Sequence, residues 1–215
     1  MYKSNLIICL VLFSLILSPQ LFAEFISFQR AAISVQPAMK ADGSASRFSV
    51  DINVPGIERN TEGKYTTLSI PGHAVSREKG APELPVLSTS ILLPDKGKVE
   101  AKIVAFEETP IEVGRIAPAR GTVMRNVDIS TVKRVEGPAY DKDQFIPSKD
   151  YSLELGKPYI CRDVRGAALR LQAVRYNPVQ GKAFAITKAR IEVSVSEEPG
   201  FNKQAPQGRY LDSAL

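Results

Sequence analysis

Beyond Ala23 the hydrophobic positions recur every second residue, and no stretch sustains helical spacing. "RFSVDINV" (Arg47–Val54) sets Phe48, Val50, Ile52 and Val54 on one side of an extended chain and polar residues on the other. "KVEAKIVAF" (Lys98–Phe106) does the same with Val99, Ala101, Ile103 and Ala105, while Val104 and Phe106 blur the far face. "AALRLQAVRY" (Ala167–Tyr176) and "ARIEVSVS" (Ala189–Ser196) also alternate. Side chains of a strand point to opposite faces in turn, so this period predicts half-buried β-strands. "YTTLSIPG" and "LPVLSTSILLP" add β-branched runs closed by proline.

Turn residues separate these runs. "YNPVQGKAF" (Tyr176–Phe184) joins two of them through Asn-Pro and Gln-Gly and predicts a hairpin; "PDKGK" (Pro94–Lys98) predicts another turn. Fifteen prolines and fourteen glycines punctuate the chain at short intervals. Together these features predict an all-β, antiparallel β-sandwich of jelly-roll-like type, with short or no helices. "GPAYDKDQFIPSKDYS" (Gly137–Ser152) reads as a connection from one sheet to the other. One domain is expected over residues 24–198, followed by a flexible tail over 199–215 where the periodicity stops.

The first 23 residues follow a different rule. Lys3 precedes the apolar run Leu6–Leu17, then "SPQ" breaks it and "LFA" ends in small-residue style at Ala23. That is the layout of a secretory signal peptide cleaved after Ala23. The run is shorter than the roughly 20 apolar residues of a membrane-spanning helix, so no span is expected after cleavage. The expected location is the periplasm, the cell surface or the medium. Cys9 leaves with the leader and lacks the small residues before it that a lipid-anchor site needs. Cys161 is then the sole cysteine, so no internal disulfide can form, and its alternating neighbours in "YICRDV" suggest a small core residue.

Charge narrows the functional classes. The net charge is +5 with Lys and Arg interspersed among acids, and Trp is absent. Nothing resembles a nucleic-acid groove. His73 is the only histidine and sits in "SIPGHAVS" beside a turn. A Ser-His-Asp or Cys-His arrangement would have to use it, and nothing in the sequence brings Cys161 to it. One histidine and one cysteine make a poor metal site; no phosphate-cradling glycine loop occurs. Acid pairs such as Glu107–Glu108 and Asp141/Asp143 read as solvent-facing. The residues therefore describe a non-enzymatic exported sandwich without metal or cofactor.

One stretch is not explained by that description. "RIAPARGTVMRNVDIS" (Arg115–Ser130) spaces Arg115, Arg120 and Arg125 five residues apart with no acid between them, too irregularly for a clean strand. Read alone, this is a solvated loop.

"EKGAPELPVLSTSILLP", "IAPARGTVMR", "YDKDQFIP" and "CRDVRGAALRLQAVRYNPVQGKAFAITKARIEVSVSE" follow one another in that order between Lys79 and Glu197. This ordered series resembles the N-terminal prodomain of the gingipain family, secreted Arg- or Lys-specific cysteine peptidases of Bacteroidetes. The resemblance implies an all-β sandwich that is exported with a peptidase catalytic domain, assists its folding and keeps it latent. In the arginine-specific members, a prodomain loop inserts an arginine into the specificity pocket. "APARGTVMR" matches that loop, which places Arg125 as the inserted residue between Met124 and Asn126, with Arg120 as the second candidate and Arg115 as the third. "RDVRG" suggests Arg162 and Arg165 paired around Asp163 at a strand end. Arg209–Tyr210 is a bond that an arginine-specific peptidase could cut.

The family's catalytic His–Cys pair has no counterpart in this chain. Two other readings stay open: a cell-envelope binding or adhesion module, and a truncated remnant of a peptidase precursor.

Overall fold

The computed structural model describes residues 24–28, 32–39, 45–148, 153–162 and 164–196. The expected leader and the tail lie outside them. Among the described residues thirteen strands run in chain order: β1 (Glu24–Ser27), β2 (Ala32–Met39), β3 (Ala45–Asn53), β4 (Gly56–Glu62), β5 (Tyr65–Ser69), β6 (Ala74–Val75), β7 (Pro85–Leu92), β8 (Lys98–Glu112), β9 (Leu153–Leu155), β10 (Tyr159–Cys161), β11 (Val164–Gln172), β12 (Val174–Asn177) and β13 (Lys182–Ser196). The only helical pieces among the described residues are two 3-10 turns, Ile129–Thr131 and Pro138–Asp141.

All named strand pairings are antiparallel, both in hairpins such as β4–β5 and β12–β13 and between strands distant in sequence such as β3 and β13. One five-stranded sheet is built on β13, with β8 along one side and β3 and β12 along the other, and β2 beyond β3. The other is built on β11, with β7 and then β6 on one side and β9 and β10 on the other. A third, three-stranded sheet, β1-β4-β5, adds to the two expected from the sequence.

The alternation read from the sequence sets the register. Phe48 faces Val193, Val50 faces Ile191 and Ile52 faces Ala189 across β3 and β13, and all six are buried. They join Leu87 and Ile91 of β7, Leu169 and Leu171 of β11, and Ile57 and Leu68 of the small sheet in one core. A one-residue slip of β3 would turn its apolar set to water, which is why the pattern fixes the pairing.

The hairpin read from "YNPVQGKAF" is present as β12 and β13 joined by a turn that ends at Gly181. The run Ala167–Tyr176 differs from its reading as a single strand. It divides at Ala173, whose N–H donates to the Pro85 carbonyl of β7 (3.0 Å) and whose carbonyl accepts from Ile186 of β13 (2.8 Å). One fully buried alanine thus stitches both large sheets together. Alternation alone cannot reveal this corner, because the period continues through it.

One further expectation is corrected. Cys161 is exposed, because β10 is a three-residue edge strand with no layer over it. Arg165 is fully buried, and its guanidinium donates to the carbonyls of Pro94 (2.9 Å) and Gly97 (3.0 Å) in the β7–β8 turn. Burial lowers its pKa. Asp163, its expected neighbour, lies outside the described residues.

Candidate functional site

The arginine stretch leaves the sandwich after β8. Residues 115–119 are held in place by backbone bonds to two different partners. Thr66 of β5 donates to the Arg115 carbonyl and accepts from Ala117, both at 2.8 Å. Ala117 then accepts from Glu83 (2.9 Å), and Ala119 donates to Ala81 (2.8 Å). Ile116, Ala117 and Ala119 are buried, so the apolar residues of "IAPA" anchor the loop's first stem. Buried tyrosine hydroxyls complete it: Tyr140 Oη donates to the Ile116 carbonyl at 2.8 Å.

The loop closes at Gly80. Its N–H donates to Ala119 (3.1 Å) and its carbonyl accepts from Gly137 (2.9 Å), so one residue grips both stems. A Cβ on Gly80 would lie 3.1 Å from Gly137 Cα, and φ is +82°. Only glycine meets both demands without strain.

Ion pairs then brace the stems. Arg115 donates to Glu136 through Nε (2.8 Å) and Nη2 (2.6 Å) and lies over the Tyr140 ring, 5.1 Å from its centroid. These bonds hold the Glu136 carboxyl down at about 2. Burial moves the Tyr140 phenol up. Arg120 donates to Glu62 Oε1 (2.6 Å) and, across the loop, to the Val132 carbonyl (2.9 Å). Arg134 returns from the other stem to Glu62 Oε2 (2.9 Å), Glu83 and the Pro118 carbonyl (2.8 Å). Glu62, at the end of β4, is therefore gripped from both stems. Its carboxyl is shifted down, chiefly by the Arg134 hydrogen bond.

The candidates separate on this frame. Arg120 is a brace with a side chain only 16% exposed, and Arg115 is matched to Glu136. Neither stands at the tip. Arg125 does: Val127 N–H donates to the Met124 carbonyl (3.1 Å), closing a tight turn with Arg125 and Asn126 at its centre. Met124, Arg125 and Asn126 are all exposed, and among the described residues Arg125 has no hydrogen bond or ion pair. Arg115, Arg120 and Arg134 are paired with Glu62, Glu83 and Glu136, whereas Arg125 has no such pair among the described residues. Ala23 and Arg209, the expected cleavage positions, lie outside the described residues.

Glu62, Glu83, Arg134 and Glu136 were not singled out in the sequence. Glu136 meets Arg115 across 21 residues, with no local signal. Glu62 and Glu83 carry no local signal, because Arg134 reaches them across 72 and 51 residues.

The remaining chemistry stays dispersed. His73 lies by Ser88 of β7, accepting its N–H at 3.4 Å, at the level of Arg170 on β11. Cys161 pairs with Val164 at the start of β11, about 20 Å along the strand at ~3.4 Å per residue. They form no dyad. No helix among the described residues is long and apolar enough to cross a membrane.

The chain is an all-β antiparallel module from which a braced loop carries Arg125 at its turn. A family model described as Propeptide_C25 matches residues 40–209, and the chain belongs to that family. Gingipain R1 of Porphyromonas gingivalis is 32% identical over 133 residues, which is 62% of this chain and 13% of the relative. Gingipain R2 of the same species is 31% identical over 125 residues, 58% of this chain and 17% of the relative. The chain thus spans less than a fifth of these relatives. The fold matches that in a complex of Porphyromonas gingivalis RgpB pro- and mature domains, with a TM-score of 0.70, 23% identity, and coverage of 86% of this chain and 94% of that one. It also matches a gingipain K structure from Porphyromonas gingivalis concerned with zymogenic latency (TM-score 0.63, 21% identity, 81% and 99% covered).

Proposed function

We propose that this chain binds the catalytic domain of a gingipain-type cysteine peptidase, assists its folding and keeps it latent by placing Arg125 in the specificity pocket. The observation that carries this reading is the contrast within one loop. Three arginines are matched internally, and the fourth is held outward at a turn with its guanidinium unmatched among the described residues. Membership of the propeptide family and the relatives' identity as gingipains R1 and R2 favour an Arg-specific partner.

The physics of the insertion follows from the side chain. A guanidinium is a planar fork that donates two parallel hydrogen bonds to a carboxylate at a pocket floor. Bracing the stems reduces the ordering cost that a floppy loop would incur on binding. Exposed Met124 and polar Asn126 leave the approach to Arg125 open. Export with the leader at residues 1–23 belongs to the same reading, and it would bring chain and peptidase through the envelope together.

The test is a titration of the purified chain against an Arg-specific peptidase of this type, with a chromogenic arginine substrate. Arg125→Ala is expected to weaken inhibition by about 2–5 kcal/mol, the cost of removing one member of a desolvated charged pair. Arg125→Lys keeps the charge but loses the fork, and should fall between the two. The melting temperature should not move. Equal inhibition by Arg125→Ala and parent would overturn the assignment of Arg125.

A further inference from the structure

We propose that the same loop carries a second recognition element, an apolar collar of Met124, Val127, Ile129 and Val135, which seats on an apolar rim around the partner's acidic pocket. The inference rests on the reading of Arg125 given above, and it specifies the surface chemistry of the partner beyond the pocket.

The collar is conspicuous in exposure. Met124 is 77% exposed, Val127 44%, Ile129 58% and Val135 60%. Met124, Val127 and Ile129 lie between the two stems gripped by Gly80, and Val135 lies on the second stem between Arg134 and Glu136. The core of this chain is complete without them. Exposed apolar residues also occur singly on strands and turns, as at Leu92 and Val179, and these need no explanation, but four within residues 124–135 of one loop mark a contact surface.

The loop's backbone points the same way. Asp128 accepts from Ser130 N–H (2.9 Å), Thr131 N–H donates to the Asp128 carbonyl (3.0 Å) and Val132 N–H donates to the Ile129 carbonyl (3.2 Å). With the Met124–Val127 turn, these bonds turn backbone polar groups inward to local partners. The segment is therefore poorly suited to adding a strand to a partner's sheet, and side chains are what it offers. The 3-10 turn holds Ile129 in a fixed position, so little freedom is lost when it is covered.

Charge complementarity completes the description of the occupant. With Arg115, Arg120 and Arg134 matched to glutamates, the cations the loop presents are Arg125 and Lys133, against Asp128 engaged in its own cap. The matching surface is an acidic pocket bordered by apolar side chains. This is the arrangement in which an anchor fills a pocket while its neighbours exclude water from around it.

The decisive experiment is calorimetric titration of the whole chain into an Arg-specific, gingipain-type cysteine peptidase, at several temperatures and salt concentrations. The variants are Met124→Ser/Ile129→Ser, Arg125→Ala and the triple combination. The double variant is expected to bind about 100-fold more weakly, about tenfold for each apolar side chain no longer buried, with a less negative heat-capacity change and an unaltered salt dependence. Arg125→Ala should instead reduce the salt dependence, and the triple variant should be weaker than either. All variants should melt with the parent, because the altered residues lie outside the core. Parent-like affinity and heat capacity in the double variant would overturn the collar and leave Arg125 in place. A parent-like Arg125→Ala beside a weakened double variant would overturn the arginine reading and leave the collar standing. A parent chain that does not bind overturns both.

Discussion

Arg115 and Glu136 close the loop across 21 residues by two parallel hydrogen bonds, Nε to Oε1 at 2.8 Å and Nη2 to Oε2 at 2.6 Å. The pair makes the loop's geometry depend on a carboxylate that must stay ionised. Arg115 holds the Glu136 carboxyl down at about 2, below its ordinary 4.5. A depressed folded-state value means the stabilisation is present above about pH 4.5 and is lost as pH falls toward 2. Glu62 shifts in the same direction. The midpoint of urea unfolding should therefore drop through this window, and Glu136→Gln should flatten part of the drop. Identical pH profiles for variant and parent would remove Glu136 as a cause.

Glu62 should matter to inhibition without touching the partner. Its carboxylate binds Arg120 Nη2 at 2.6 Å and Arg134 Nη2 at 2.9 Å, and the Arg134 side chain is only 8% exposed. Glu62 itself is about half exposed, so Glu62→Gln should cost about 1–3 kcal/mol, between the values for surface and buried pairs. Inhibition should weaken through a slower association rate as the loop samples more conformations. Stopped-flow binding beside thermal unfolding separates the two effects.

Gly80 can be tested against another left-handed glycine. Gly80→Ala places a Cβ 3.1 Å from Gly137 backbone at φ +82°, whereas at Gly63 (φ +61°) nothing lies within 4 Å. The backbone conformation alone costs about 1–2 kcal/mol at either site. Urea unfolding should show Gly80→Ala as the more destabilised of the two. Equal losses would mean that the neck relaxes freely.

Arg165 is the buried counterpart of Arg125. Arg165→Met removes the donors to the Pro94 and Gly97 carbonyls and is expected to cost about 2–4 kcal/mol. The melting temperature should fall while Arg125-dependent inhibition persists in the folded fraction.

These positions differ in how visible they were from the sequence. The core strands announced themselves, because alternation in "RFSVDINV" and "ARIEVSVS" is the direct imprint of a sheet with one buried face. Arg125 could be singled out through the resemblance of "APARGTVMR" to a known loop, but periodicity alone could not separate it from Arg115 and Arg120. Their fates depend on Glu62 and Glu136, and Glu62 comes near only after folding. Cys161 was read as a core residue for the same reason, and the burial of Arg165 was not foreseen. An arginine can be buried where a turn offers two carbonyls, and a cysteine on an edge strand has nothing to cover it. Pattern reads the faces of strands; it does not read which layer lies above them.

The neck at Gly80 has a consequence for how such a module can change. Both ends of the segment from Arg120 to Glu136 are fastened to the amide and carbonyl of a single residue. Provided that the braces Arg120, Arg134 and Glu136 are kept, the sequence between Gly121 and Thr131 is expected to be replaceable while the sandwich keeps its register, as a key is recut without replacing its bow. Swapping that segment between propeptides is accordingly a direct way to redirect one scaffold toward a different lock.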